Sequence, residues 1–181
     1  MDKLDRFISN NKINIQDFKT IIYQSFLLSI FRELYHYLED EDNKETFKIK
    51  IRNANSHSQE LSEVRRLICE AIGNVYLETE ELERILELLK AYLSKSNYRK
   101  KLSMDEKRYI LQKQNNLCNI CGKPICMLTA HIDHVIPFKF VGDELDNNLQ
   151  GLCEGCNLSK GTKLIHLIEI FLKQKLVKNT T

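Results

Sequence analysis

Two C-x-x-C pairs, Cys118-Asn-Ile-Cys121 and Cys153-Glu-Gly-Cys156, constrain the fold more than any other feature of the chain. A two-residue spacer turns the backbone back tightly enough to put two thiolates on one metal, and two such pairs complete a tetrahedral zinc site. A disulfide framework is the weaker reading, because Asp2, Lys3, Asp5 and Arg6 spoil any secretory signal at the start. A thioredoxin-like redox motif accounts for one pair but not for two. The 31 residues between the pairs exceed the roughly 15–20 of a zinc ribbon, so something is inserted between the knuckles. Cys126 is a spare thiol at a poorer spacing, read as packing or as a reactive free thiol. Cys69, in an apolar helical stretch, reads as a small buried hydrophobe.

The insert carries candidate chemistry. Alternation from His131 to Ile136 predicts a strand that Pro137 ends, and a Gly142-containing loop reverses the chain. A second strand over 149–152 leads into the second knuckle, and a helix follows from about Cys156. The result is a hairpin with a helix folded over it, clipped at its base by zinc. Asp133 offers a carboxylate oxygen and Asn157 an amide oxygen, both hard donors suited to Mg²⁺ or Mn²⁺. His134 can accept a proton from an attacking water. Asn148 cannot act as a base, but an amide in a tight loop can bond backbone groups and fix where the strand histidine points. Taken singly, an Asp-His pair or an Asn-Leu pair is an ordinary surface feature. It is their joint occurrence, in order, inside a zinc clip that carries meaning.

The remainder of the chain differs in composition. Residues 1–117 contain Gly73 as their one glycine and no proline, whereas Pro124, Pro137 and five of the six glycines lie beyond. A stretch so free of breakers reads as helical, and 181 residues leave room for two small domains. The expectation is an all-helical domain over 1–97 and a second domain over 98–181. Helices are predicted over 14–39, 58–72 and 78–97, with a polar loop over 52–59 and a solvated acidic turn at Glu39–Asp42. The first helix is apolar almost all round, and the third carries Leu82, Ile85, Leu86, Leu89, Tyr92 and Leu93 at helical spacing. These two surfaces either bury one another or form a homodimer or protein-partner face. From Lys95 to Lys113 the net charge is +5, read either as a solvated linker or as a phosphate-backbone contact. Ser103 to Glu106 forms a capping box for a helix reaching about Asn115. A last helix over 162–177 contains His166 and solubilising lysines; His36 and His57 are read as surface or structural histidines. The longest uncharged run near the start, Thr20 to Phe31, is far shorter than the roughly 20 residues of a membrane span. The chain is therefore expected to be soluble and cytoplasmic, with no membrane partner.

The insert and its clip resemble the HNH endonuclease family and its ββα-metal motif. The residues that carry the resemblance are Cys-x-x-Cys-Gly from Cys118, Asp133-His-Val-Ile-Pro137, Asn148-Leu-Gln150 and Leu152-Cys-x-x-Cys-Asn-x-x-Lys-Gly161. They cover about residues 118–161. The resemblance implies a small zinc-stabilised HNH domain, which with the helical N-terminal domain read from composition makes an α+β protein. It implies a metal-dependent nuclease that hydrolyses phosphodiester bonds, with double-stranded DNA as substrate. In that family pattern His134 matches the general base, Asp133 and Asn157 the metal ligands, and Asn148 the residue that orients the base. Many members end in histidine where this chain has Asn157, a variant that leans the catalytic ion towards Mg²⁺. His131, on the same strand face as Asp133, would be an auxiliary ligand or substrate contact. Lys160 would touch phosphate near the start of the last motif helix. A restriction or anti-phage effector is the expected setting. The alternative is a zinc-stabilised nucleic-acid-binding module without cleavage.

Overall fold

Polar side chains mark the entry of the chain into several of its helices. Asp40 is in extended backbone and its carboxylate accepts the Asn43 N–H at 3.0 Å, while the Ser56 hydroxyl accepts the Gln59 N–H at 3.2 Å. The Glu81 carboxylate reaches back to the Glu78 N–H at 2.6 Å, each contact satisfying a donor the helix itself leaves open. In the computed structural model, which describes residues 3–10 and 13–164, these caps open three helices: α3 (Glu41–Arg52), α4 (His57–Ala71) and α5 (Thr79–Ser94). They follow α1 (Lys3–Asn10) and α2 (Ile15–Tyr37) and precede α6 (Met104–Lys113). Strand β1 (Ala130–His134), the short α7 (Phe138–Val141), β2 (Leu149–Cys153) and α8 (Glu154–Lys160) complete the described chain. The two strands pair in one sheet. The class is α+β, helix-rich with a single small sheet among the described residues. None of the helices described is long and apolar enough to cross a membrane.

Several expectations change. Two helices, α1 and α3, were not foreseen; of the acidic cluster, Glu39 and Asp40 lie in the expected turn, while Asp40 also caps α3 and Glu41 and Asp42 form its first residues. Acidic side chains suit that position because they face the positive end of the helix dipole. The polar loop shrinks to residues 53–56. Cys69 is exposed, its Sγ 3.5 Å from Asn74 Oδ1, because α4 buries Val64, Leu67 and Ile68 on another face. Residues 161–164 are turn or irregular backbone, and the rest of the expected 162–177 helix, with His166, lies outside the described residues.

The backbone divides into two compact units that do not follow chain order. One comprises Met1–Phe26, Met104–Asp133 and Gln150–Thr181; the other comprises Leu27–Ser103 and His134–Leu149. The expected division at residue 97 thus misses that segment 134–149 groups with the helices. The second unit shows why. Phe140 on α7 packs edge-on against Tyr35 at 4.7 Å and Phe31 at 6.4 Å between ring centroids. Phe31, Leu34, Leu38, Ile85, Leu88 and Leu89 are all but fully buried around it, and Tyr92 Oη donates to Leu38 O at 3.0 Å. The apolar stripe of α5 is therefore largely spent in this core, as is the second half of α2. The first half of α2 instead leaves Ile15, Ile22, Tyr23 and Phe26 exposed.

The first unit has a smaller core, made of Leu111, Ile120, Ile125, Leu152 and the thiols of Cys118 and Cys156. Gln114 clamps β2 with both ends of its amide, donating to Gly151 O at 2.8 Å and accepting from Gly151 N at 2.9 Å. A side chain at Gly151 would run into Leu111 and Gln114, so this strand position needs glycine. Asn115 and Asn116 both adopt left-handed backbone (φ 56° and 54°), a conformation that asparagine tolerates better than most residues. That double turn ends α6 and delivers the chain to Cys118.

Candidate active site

Two sets of side chains lie on the elements between and around the cysteine pairs, and each belongs to its own unit. The first begins with the thiols. Cys118, Cys121, Cys153 and Cys156 bring their Sγ atoms within 4.8 Å of one another, with Cys121 and Cys153 at 3.8 Å. Four thiolates at ~2.3 Å from a common tetrahedral zinc would stand about 3.8 Å apart, so the spacing fits zinc. The electrostatics also call for a cation. Burial pushes up the Cys121 and Cys156 thiols, and at Cys156 neighbouring Cys153 and Cys121 raise it further. At Cys118 burial is outweighed by backbone N–H groups of Cys121, Cys153 and Ile120, which bring the thiol down to about 7. A cluster that resists carrying several negative charges on its own becomes thiolate once a dication compensates them. Cys126 stays outside the cluster, exposed, its thiol lowered by the Thr129 hydroxyl and backbone donors.

In the same unit, Asp133 on β1 and Lys160 at the end of α8 form a buried ion pair, Oδ2 to Nζ 2.7 Å, with the lysine side chain wholly inaccessible. Neither atom has a hydrogen bond of good geometry to any other described group. Lys160 is thus placed away from the helix start at which a phosphate contact was expected. Helix α8 begins at Glu154, two residues earlier than foreseen, so Lys160 falls in its last turn, where a cation suits the helix dipole. Asn157 sits three residues before Lys160 on α8, half-buried. His131 is exposed on β1.

The second set lies in the helical unit. His134, the final residue of β1, is 7% exposed. Its Nε2 lies 2.7 Å from Asp143 Oδ1, and the Phe138 ring packs edge-on at 5.4 Å between centroids. Asn148 is buried just before β2 and binds the backbone across from it. Its Oδ1 accepts the Ile136 N–H at 2.8 Å, its Nδ2 donates to Ile136 O at 2.9 Å, and its own carbonyl accepts the Val135 N–H at 2.7 Å. Those three bonds fix the chain immediately after His134. The residue that sequence reading missed is Asp143. Its second oxygen accepts the Lys100 N–H at 2.7 Å. Burial opposes its charge, but that N–H and His134 outweigh the cost and hold its carboxyl below the usual range. The one signal in sequence was an acid directly after Gly142, and Glu144 and Asp146 share that loop.

A strand ending in Asp-His, a return strand and a following helix, bracketed by a four-thiol cluster, is the order of elements that decides the comparison. Residues 118–169 match the HNH endonuclease family. Within the curated proteins, a 52-residue stretch is 38% identical to the CRISPR-associated endonuclease Cas9 of Corynebacterium diphtheriae, covering 28% of this chain. The matched stretch spans about 5% of that relative's length. No solved structure matches the chain significantly. The HNH match supports a nuclease for this segment, with a nucleic acid as substrate class.

Proposed function

We propose that this chain is a metal-dependent HNH endonuclease that hydrolyses phosphodiester bonds of double-stranded DNA, in the setting of a restriction or anti-phage effector. The observation that carries the reading is the consecutive Asp133 and His134 at the end of β1, inside the thiol-clipped β1–β2–α8 arrangement of the HNH match. Asp133 and Asn157 provide the hard oxygens for Mg²⁺ or Mn²⁺, and the buried Asp133 oxygen has the Lys160 ammonium beside it. Bound there, such an ion would supply charge stabilisation at the leaving 3′-oxygen. His134 takes the proton of the attacking water, and the Asn148 amide holds the backbone that follows it. Lys160 gives Asp133 a cation of its own, so uptake of a dication replaces one positive partner with another. The four thiolates hold structural zinc. A homodimer or partner protein would use the exposed apolar residues of α2, Ile15, Ile22, Tyr23 and Phe26.

The Asp133–Lys160 pair is also the observation that favours the competing reading, a zinc-stabilised binding module, because the carboxylate is already neutralised. Supercoiled plasmid incubated with Mg²⁺, with Mn²⁺ and with a chelator separates the two. Cleavage that requires the metal and falls by roughly 10²–10⁴ in His134→Ala is the expected result. Binding without cleavage under every condition would overturn the proposal.

A further inference from the structure

The helical unit holds a hydrogen-bonded chain that the proposed reaction does not yet use. It runs from the backbone of Lys100, through both oxygens of Asp143, to the ring of His134. Gly142 makes the approach possible: its backbone is left-handed (φ 61°), and a Cβ there would stand 2.9 Å from Lys95 Cβ. Arg99 lies over the Phe138 ring at 4.9 Å, on the aromatic side chain that packs against His134. The segment after α5 is thus seated on the loop that follows β1.

We propose that Asp143 is the positioning residue of His134, a carboxylate whose two oxygens serve two fixed donors and thereby set which ring nitrogen accepts the proton. The proposal deepens the nuclease reading and rests on His134 being its proton acceptor. Asp143 Oδ2 is taken by a backbone N–H, which can only donate. Oδ1 faces His134 Nε2, and a carboxylate can only accept, so Nε2 carries the hydrogen. In a neutral imidazole the lone pair then resides on Nδ1. The same carboxylate compensates the positive ring once a proton has been taken from water, so it favours the charged state that forms during reaction.

Substituting asparagine reverses this logic at constant shape. An amide has one acceptor oxygen, which the immobile Lys100 N–H claims. Its NH₂ then faces Nε2, which must present its lone pair, and the ring hydrogen moves to Nδ1, where the proton is to be accepted. Asp143→Asn should therefore cleave plasmid roughly 10²–10⁴-fold more slowly at saturating DNA, in line with the loss when a catalytic histidine takes the wrong tautomer, with KM little changed. Nitrogen-15 spectra of the imidazoles should show His134 as the Nε2–H tautomer in the wild type and as Nδ1–H in Asp143→Asn. On a His134→Ala background, Asp143→Asn should cost nothing further, because there is no ring left to orient. A general structural role would instead multiply the two losses.

The proposal is overturned if Asp143→Asn cleaves within threefold of wild type, if its loss multiplies with that of His134→Ala, or if wild-type His134 carries its hydrogen on Nδ1. A wild type that cleaves nothing with any metal would defeat the nuclease reading alone. The tautomer measurement would still decide the Asp143–His134 pairing.

Discussion

The two units are held together by different forces. The helical unit encloses a continuous apolar core, with Phe31, Leu34, Leu38, Ile85 and Leu89 fully or almost fully buried. The thiol-bearing unit surrounds Leu111, Ile120, Ile125 and Leu152, and the buried thiols of Cys118 and Cys156 complete this core. Small cores seldom hold a fold without a disulfide or a metal. One unit thus has an apolar core of its own, whereas the other has a four-thiol cluster that could hold a metal ion. Asp133, Asn157 and Lys160 belong to the thiol-bearing unit, and His134, Asp143 and Asn148 to the helical one.

The sharpest way to break that contrast is to remove the zinc. Cys118→Ser or Cys153→Ser should abolish zinc binding and unfold the thiol-bearing unit, since structural zinc contributes on the order of 10 kcal/mol to such sites. Most helical circular dichroism should survive, because α3, α4 and α5 lie in the other unit. Full zinc retention in a folded Cys118→Ser protein, measured by atomic absorption, would contradict the assignment. Next in size, Phe140→Ala should cost about 3–5 kcal/mol in urea unfolding while zinc content stays at the wild-type level, because Phe140 packs on Phe31 and Tyr35. Zinc loss in that variant would mean that the two units do not separate energetically.

Smaller effects refine the picture. Gly151→Ala puts a methyl into Leu111 and Gln114 and should destabilise the thiol-bearing unit by about 1–3 kcal/mol, read as a lower midpoint for zinc release by a chelator. The smallest effect is on pH dependence. Asp143 has a depressed carboxyl, so its contribution to stability is complete above the unfolded-state value. That contribution is lost as pH falls through the lower folded-state value. Acid unfolding of Asp143→Asn, followed between pH ~5 and ~2, should have a shallower slope than the wild type. An identical slope would place the acid sensitivity elsewhere.

What could be read from sequence was local. The cysteine spacing, Asp133-His134 ahead of Pro137, and Asn148 before a strand are short-range patterns whose geometry follows from two or three neighbouring residues. The turn residues then locate β1, β2 and the start of the last helix to within a residue or two. That margin was enough to misplace Lys160, whose burial depends on where α8 begins. Helix α3 escaped because it is polar on most sides and buries only Phe47. Asp143 escaped because nothing local separates it from Glu144 and Asp146; its partners, Lys100 and His134, are 43 and nine residues away. The grouping of 134–149 with the helices rests on Phe140 meeting Phe31, a contact between residues more than a hundred positions apart.

The chain passes between its two units four times, and this affects the order in which a ribosome could assemble it. Residues 27–149 contain every segment of the helical unit, so that unit can finish once Leu149 is clear of the exit tunnel. The thiol site has half its ligands at that moment. Cys118 and Cys121 wait, reduced and unsealed, for Cys153 and Cys156, and the lysine that faces Asp133 arrives only with residue 160. Domains made early in translation can fold as units, so on the proposed reading His134 would be seated in a finished scaffold before Asn157 and the second thiol pair had emerged.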